Sequence, residues 1–390
     1  MQEDFHYYAT YCAAFIAGYS HEESMQICYG AQLVDLCSKT FLTKLKAPLS
    51  AATTQLQLEM MDARMDVVGL QDITRIWASF HFLPYDLYAK KPKRSKSYMH
   101  RYRLICGPDS ELVKETVGLA KNTSLPAVGL AMHVLADTWA HRYFAGTPSL
   151  VINNTNYHFY ETVEMDGKTT ERQIRFTHNP SAPDDVFEGI YTNTLYQPKE
   201  MAVMNLGHGR AGHFPDYSFA RYRYLPAWGD YEEIIKDNPS DYMNAFCQMI
   251  YAMKFLRGER EEFEKGRYEK ESISRWSETI DGILRKRQLN ANEDWKEFGK
   301  NLSGREIEDF DIKKYMDEYI HAEKDQKDDT YLGQFIIAAL KQKSMVTGRI
   351  YRSKNPLAGI SVNYNGKGLK GIRDYAKLIS AVQEEKHESD

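Results

Sequence analysis

The densest chemistry in the sequence lies between His133 and His141, in the run His133-Val-Leu-Ala-Asp137-Thr-Trp-Ala-His141. An α-helix turns about 100° per residue, so positions four apart share a face and the three polar side chains form one stripe. Leu130 and Val134 lie on the same stripe, and a polar stripe turned inward needs partners, because an unpaired buried carboxylate is costly. At ~1.5 Å of rise per residue His133 and His141 stand about 12 Å apart, too far to share one ion. Asp137 lies between them, placed to serve or bridge neighbouring metal ions as paired-metal hydrolytic sites require. The plainer alternative is a helix with two surface histidines and a locally paired Asp137.

A second cluster runs Asn205-Leu-Gly207-His208-Gly209-Arg210-Ala211-Gly212-His213-Phe214-Pro215-Asp216. It contains a literal G-x-G-x-x-G, but a dinucleotide fingerprint needs a strand before it and a helix after it, and Phe214-Pro215 breaks that helix at once. Instead the glycines let the backbone bend while His208, His213 and Asp216 converge, either on a metal ion or on a phosphate held also by Arg210. A glycine turn whose histidines cap backbone groups is the competing account. Three more residues have the right chemistry: His6 among Phe5, Tyr7 and Tyr8, Asp35 on the helical face of Cys28 and Ala31, and His81 in Phe80-His-Phe-Leu-Pro84. Together they would supply ligands from several helices, a usual way for a bundle to build an internal metal centre. Other catalytic templates are missing: no H-E-x-x-H, no G-x-S-x-G, no Walker A lysine and no His-Asp dipeptide occurs.

The order His6, Asp35, His81, His133 and Asp137, followed by further histidines, resembles the zinc-dependent phospholipase C and single-strand nuclease superfamily. More closely, Asp4-Phe-His-Tyr-Tyr8 with Phe80-His-Phe-Leu-Pro84, His133-x-x-x-Asp137 and Gly207-His-Gly-x-Ala-Gly-His213 is similar to a bacterial family of unknown function, over at least residues 1–230. The superfamily resemblance implies an all-α fold and a zinc cluster. It implies that Asp35, His81, His133 and Asp137 surround one metal, that His6 and the bridging Asp137 hold a second, and that His141 with His208 or His213 holds a third. Secreted members use an N-terminal Trp as a ligand, whereas this chain opens Met1-Gln-Glu-Asp4, which leaves Asp4 as a substitute or that site incomplete. His141 and His208 are also more widely spaced than the superfamily's third site, so one or two metals are better supported than three. The activity expected is metal-dependent hydrolysis of a small anionic phosphoester. A metal-activated water would be the nucleophile, Asp35 or Asp137 the proton acceptor, and Arg210 or Arg142 the charge neutraliser. The competing class is a non-catalytic metal-binding or interaction protein. His-plus-carboxylate ligation suits zinc first, with one to three ions, and leaves iron, manganese and nickel open.

These residues must be positioned by helices. Residues 5–18 read as a helix closed by Gly18, and Ser20-His-Glu-Glu23 is a capping box opening a second helix to about Ser38. Residues 51–79 read as helix, Lys90–Arg103 as a basic solvated loop, and Ser124–Gly146 as one helix with Pro126 in its first turn. Around Met165-Asp-Gly-Lys168 the composition changes to alternating Thr, Val, Tyr and Ile, which predicts a small β-hairpin near 156–178. Residues 179–228 read as a structured loop region, the chain is helical again from about Pro239, and Glu384–Asp390 reads as a frayed end. The expected architecture is therefore all-α with one hairpin insertion: a metal-site domain over 1–256 and a charged helical extension over 257–390 packed on it.

Composition narrows the class. Over 390 residues, 50 Lys+Arg against 54 Asp+Glu leave a net charge of −4, which offers nothing to attract nucleic acid or an anionic membrane. No apolar run approaches the ~18 residues of a membrane span, and Glu3 and Asp4 stand where a secretory signal would be cationic. Five unpaired cysteines (Cys12, Cys28, Cys37, Cys106, Cys247) point to a reducing, cytoplasmic setting. Oligomeric state is not legible. Six of the twelve histidines fall in the proposed metal constellation.

Overall fold

The computed structural model describes residues 1–355 apart from 64–66, 154, 156–157, 166, 178–182, 194–205, 227 and 231. The expected frayed end Glu384–Asp390, residue Asn205 and the hairpin-tip residue Asp166 lie outside the described residues. The chain opens in a π-helical stretch, Asp4–Ala9, that runs directly into α1 (Thr10–Ile16). After Gly18 turns the chain at φ +93, α2 (His21–Leu36) begins with the expected capping box, Ser20 accepting from the Glu23 N–H at 3.1 Å and Glu23 from the Ser20 N–H at 2.7 Å. Then follow α3 (Lys39–Leu45), α4 (Gln57–Ala63), α5 (Val67–Phe80), α6 (Lys96–Tyr102), α7 (Glu111–Leu119) and α8 (Leu125–Ala140). The helix expected over 51–79 is thus two, and the basic Lys90–Arg103 stretch is not a plain solvated loop: α6 lies within it, and Lys91 bonds the Trp228 carbonyl.

α8 is buried from Pro126 to Ala140, which makes it the central helix. It packs against α2 so closely that a Cβ on Gly129 would lie 2.2 Å from the Ile27 carbonyl oxygen. Only a residue without a side chain lets the two backbones meet there. α8 ends six residues before Gly146; His141 is its C-cap at φ −89 and ψ 11, and the chain turns rather than continuing as helix. His141 still makes the helical bond to the Asp137 carbonyl at 2.9 Å, so its ring stays on the Asp137 face, with Nδ1 3.5 Å from Oδ2, while the chain beyond it departs.

The molecule is mostly helical, but two sheets replace the single hairpin. Strands β1 (Phe159–Met165) and β2 (Lys168–Gln173) form the expected hairpin, with Met165 opposite Lys168. A two-stranded parallel sheet is made by β3 (Arg175–Thr177) and β4 (Ile190–Thr192). Beyond the hairpin, β5 (Arg221–Tyr224) and β6 (Ile234–Asp237) complete an antiparallel sheet in the order β2-β1-β5-β6. β4 and β5 come from the region read as loop. Their three and four residues carry too little alternation to stand out alone; what makes them strands is the pairing, Tyr222 opposite Glu161 and Tyr224 opposite Phe159. These aromatics stack into a second core with Phe144, Tyr191 and Phe214.

The rest is helical: α9 (Asn238–Leu256), with Pro239 in its first turn, α10 (Ser277–Arg285), α11 (Asn292–Ser303), α12 (Met316–His321) and α13 (Tyr331–Arg352). α9 and α13 both pack on α8, and one hydrophobic core runs from Met1 to Ile350. Among the described residues no helix is long and apolar enough to cross a membrane.

Candidate metal centre

Four imidazoles around α8 are oriented by backbone carbonyls. His133 Nδ1 lies 2.9 Å from the Ala31 oxygen and His81 Nε2 3.0 Å from that of Thr53. His141 Nδ1 is 2.6 Å from the His81 oxygen and His208 Nδ1 2.7 Å from that of Gly212. A carbonyl can only accept, so each of these nitrogens carries an N–H, and in whichever of the rings is neutral the opposite nitrogen is a lone pair. Each bond depends on local folding. His133 reaches Ala31 because Gly129 lets α2 approach α8. His208 reaches Gly212 because that glycine holds φ +57 where a Cβ would strike the Thr192 oxygen at 1.9 Å.

The freed nitrogens face carboxylates. Asp137 Oδ2 is 3.1 Å from His81 Nδ1 and 3.2 Å from His133 Nε2, while its Oδ1 is 3.1 Å from His6 Nε2 and 2.9 Å from the Met1 amino group. Asp216 Oδ1 lies 3.0 Å from His141 Nε2, 3.4 Å from His208 Nε2 and 3.2 Å from the Met1 amine. Three groupings bring one ligand atom from each member within 4.8 Å of the others: His6, His133 and Asp137; Asp35, His81 and His133; and His141, His208 and Asp216. His133 belongs to the first two. His6 enters from the π-helical turn, an element often found at functional sites, and its ring stacks on His133 at 3.7 Å. Its Nδ1 is buried and has no partner among the described residues.

Electrostatics sharpen this arrangement. Burial, and then the neighbouring His6, push His133 down to about 4; burial likewise pushes His208 down to about 4 against the pull of Asp216. Both rings are therefore neutral near pH 7 and present lone pairs to anionic oxygens. Burial alone would raise Asp137, but His141, the Met1 amine, His133 and His6 outweigh it and hold its carboxyl well below the usual range. Asp216 is held low in the same way by His208 and the amine. Burial would lower the Met1 amine, but Asp137, Asp216 and Asp35 together push it up to about 11. The Met1 ammonium supplies one positive charge between Asp137 and Asp216, and the remaining nitrogen-and-oxygen donors around His6, His81, His133 and His208 form a set that suits a divalent ion.

His6, Asp35, His81, His133, Asp137, His141 and His208 are thus brought together across five segments of chain. His213 is not: its ring is 67% exposed and reaches only Asp216, at 3.5 Å. Asp216, which shares its motif, takes the place opened for a second histidine. Arg210 is buried in the 3₁₀ turn Gly209–Ala211, two residues from His208. Arg142 faces Asp241 at 3.9 Å and lies over the Tyr143 ring. Asp4 does not substitute as a ligand; it accepts from the backbone N–H groups of Phe5 at 2.8 Å and Ala291 at 3.0 Å. The Met1 amine had no signal in residue types, because an α-amino group is common to every chain and only its burial makes it part of a site. Asp35 keeps 30% of its side chain exposed, whereas His6, His133 and Asp137 keep 1% or less.

A family model described as a family of unknown function (DUF6765) matches residues 1–350. No curated protein and no solved structure matches the chain. The comparisons draw no connection to phospholipase C or nuclease enzymes.

Proposed function

The chain belongs to the family of unknown function DUF6765, and from its site alone we propose a metal-dependent hydrolase that cleaves a small anionic phosphoester with a metal-activated water. The observation that carries this reading is the set of carbonyl-anchored imidazoles aimed at buried carboxylates, with His133 and His208 held neutral. Bound divalent ions, zinc foremost, supply a water of lowered pKa and a Lewis acid for phosphate oxygens. Asp137, enclosed and contacted on both oxygens, serves as a bridging ligand. Asp35, partly exposed, has room to accept a proton from a reacting water and is the proposed base. Arg210, beside His208, neutralises charge developing on the phosphate. Five free, buried cysteines suit a reducing compartment such as the cytoplasm. Residues 257–355 are proposed as a helical extension that supports the metal-site domain over 1–256, and the remainder of the expected extension, 356–390, lies outside the described residues.

The superfamily of zinc-dependent phospholipases C and single-strand nucleases offers a precedent of similar ligand order, and on that resemblance up to three ions would bind. A second reading has its own support: the grouping of His6, His133 and Asp137 is closed to solvent, and closed sites hold structural ions. An ion in that inner position would then organise the fold without supporting turnover.

Elemental analysis of the purified protein, with anomalous scattering at Asp137 and Asp216 and assays on a phosphomonoester and a phosphodiester, tests the proposal. Bound metal and metal-stimulated turnover lost in Asp35→Asn are the expected results. Metal without turnover selects the structural reading, and a protein that takes up no metal ends both.

A further inference from the structure

Beyond the histidines, the chain builds a second cavity of about 380 Å³ between Tyr85, α6, the end of α8 and the Trp228 turn. Its walls are aromatic: Tyr85, Tyr102, Trp139, Tyr143 and Trp228 line it with Arg142. The Trp228 ring meets Tyr102 edge-on at 5.7 Å and Tyr143 at 6.4 Å. Lys91 packs over the Tyr102 and Trp228 rings at 5.4 Å, bonds the Trp228 carbonyl and pairs with Asp230. This holds the indole in place. Tyr143 sits at φ +81, a strained conformation for a bulky residue, held by its N–H to the Cys106 carbonyl at 3.0 Å.

The polar groups of the cavity divide by whether they are used. Its two carboxylates both accept hydrogen bonds from the protein. Asp109 takes the Gln248 amide at 2.6 Å, the Gly266 N–H at 2.9 Å and the Tyr268 hydroxyl at 2.7 Å. Asp86, exposed at the rim, takes the Tyr88 N–H at 2.8 Å. Two of its donors have capacity to spare. The Trp228 indole N–H is buried with no partner among the described residues. Arg142 stacks on Tyr143 at 4.7 Å and hydrogen-bonds its hydroxyl, and its ion pair with Asp241 spans 3.9 Å, beyond hydrogen-bond length, which leaves further N–H groups of its five for a ligand. Ring-faced walls of this volume, a buried indole N–H without a partner and the Arg142 guanidinium suit an aromatic occupant that accepts hydrogen bonds and carries negative charge.

We propose that this cavity binds a planar aromatic anion, a one- or two-ring compound bearing a carboxylate or phosphate, with its ring among Tyr102, Tyr143 and Trp228 and its charge on Arg142. The site is separate in composition from the metal groupings, since none of their members lines it. The probe is 2-naphthoate, titrated into the full chain with tryptophan fluorescence and ligand-observed NMR as readouts, beside the neutral 2-naphthamide. The naphthoate should bind saturably and the amide about tenfold more weakly. Arg142→Gln should weaken naphthoate by about tenfold and leave the amide unchanged, and Trp228→Phe, which keeps a ring but removes the N–H, should weaken naphthoate several-fold. Far-ultraviolet dichroism of each variant checks the fold. Because the wild-type comparison of anion with amide needs no variant, a misfolded variant does not protect the idea. Equal binding of the two probes, no saturation by about 1 mM, or displacement of naphthoate by inorganic phosphate in metal-loaded but not chelator-treated protein would each overturn it.

Discussion

At Asp137 the two carboxylate oxygens face different partners, His6 and the Met1 amine on one, His81 and His133 on the other. An oxygen pair divided in this way suits a bridge between ions, while Asp216 joins a single grouping, with His141 and His208, and also meets the Met1 amine. Elemental analysis should therefore separate the two residues: Asp216→Asn is expected to lose about one equivalent of metal, and Asp137→Asn to lose more than one together with much of the thermal stability. Equal losses from both would contradict the bridge. The histidines make a second prediction. His133 and His208 titrate near 4 in the folded chain and near 6.5 unfolded, so as pH falls from 6.5 the unfolded chain takes up protons first. Stability of the chelator-treated protein should then decline between about pH 6.5 and 4, each ring contributing at most on the order of 3 kcal/mol, and be level with respect to these groups above 6.5. Asp137 and Asp216 act lower: with depressed folded values, their contribution is present above the ordinary carboxylate range and is lost only as pH falls beneath it. A melting temperature unchanged across the histidine window would show that the two rings are not buried neutral.

The contact between α2 and α8 decides whether these side chains meet. Gly129 allows it, and a methyl group there would lie 2.2 Å from a backbone oxygen that cannot move independently of its helix. Gly129→Ala should cost on the order of 2 kcal/mol and pull His133 from the Ala31 carbonyl, so metal affinity should fall with stability. Calorimetric melting with a metal titration checks both; a variant of unchanged affinity would mean the crossing does not set the site. The capping box at Ser20 and Glu23, the Pro126 start of α8 and the β1–β2 turn were legible because each is set by residues adjacent in sequence. The C-terminus of α8 was not. Helical signals run on to Gly146, yet the chain leaves the helix at His141, whose Nδ1 meets the His81 carbonyl, a partner sixty residues away. β4 and β5 were missed for the same reason, since short strands are made by the neighbours that pair with them.

Over the whole molecule the sheet is tied to the C-terminal helices through Glu161, which is buried on β1 and accepts from Arg172 at 2.8 Å and from Arg287 at 2.6 Å. Glu161→Ala should destabilise the fold by on the order of 2 kcal/mol, less than breaking a fully buried pair, because both guanidinium groups retain some solvent. Denaturant titration measures it, and a loss within experimental error would mean that the aromatic core holds the sheet unaided. The chain itself determined which residues could do chemistry: the His133–Asp137 pair, His6, Asp35, His81, His141 and His208 stand out by type and helical spacing, which depend on local geometry alone. Only the tertiary structure decided their company. It admitted Asp216 and the Met1 amine, left His213 in solvent, turned Arg142 to a second cavity and set Asp137 between two groups of nitrogens. Those outcomes rest on which backbones can approach and which charges lose water, and both are properties of segments distant in sequence.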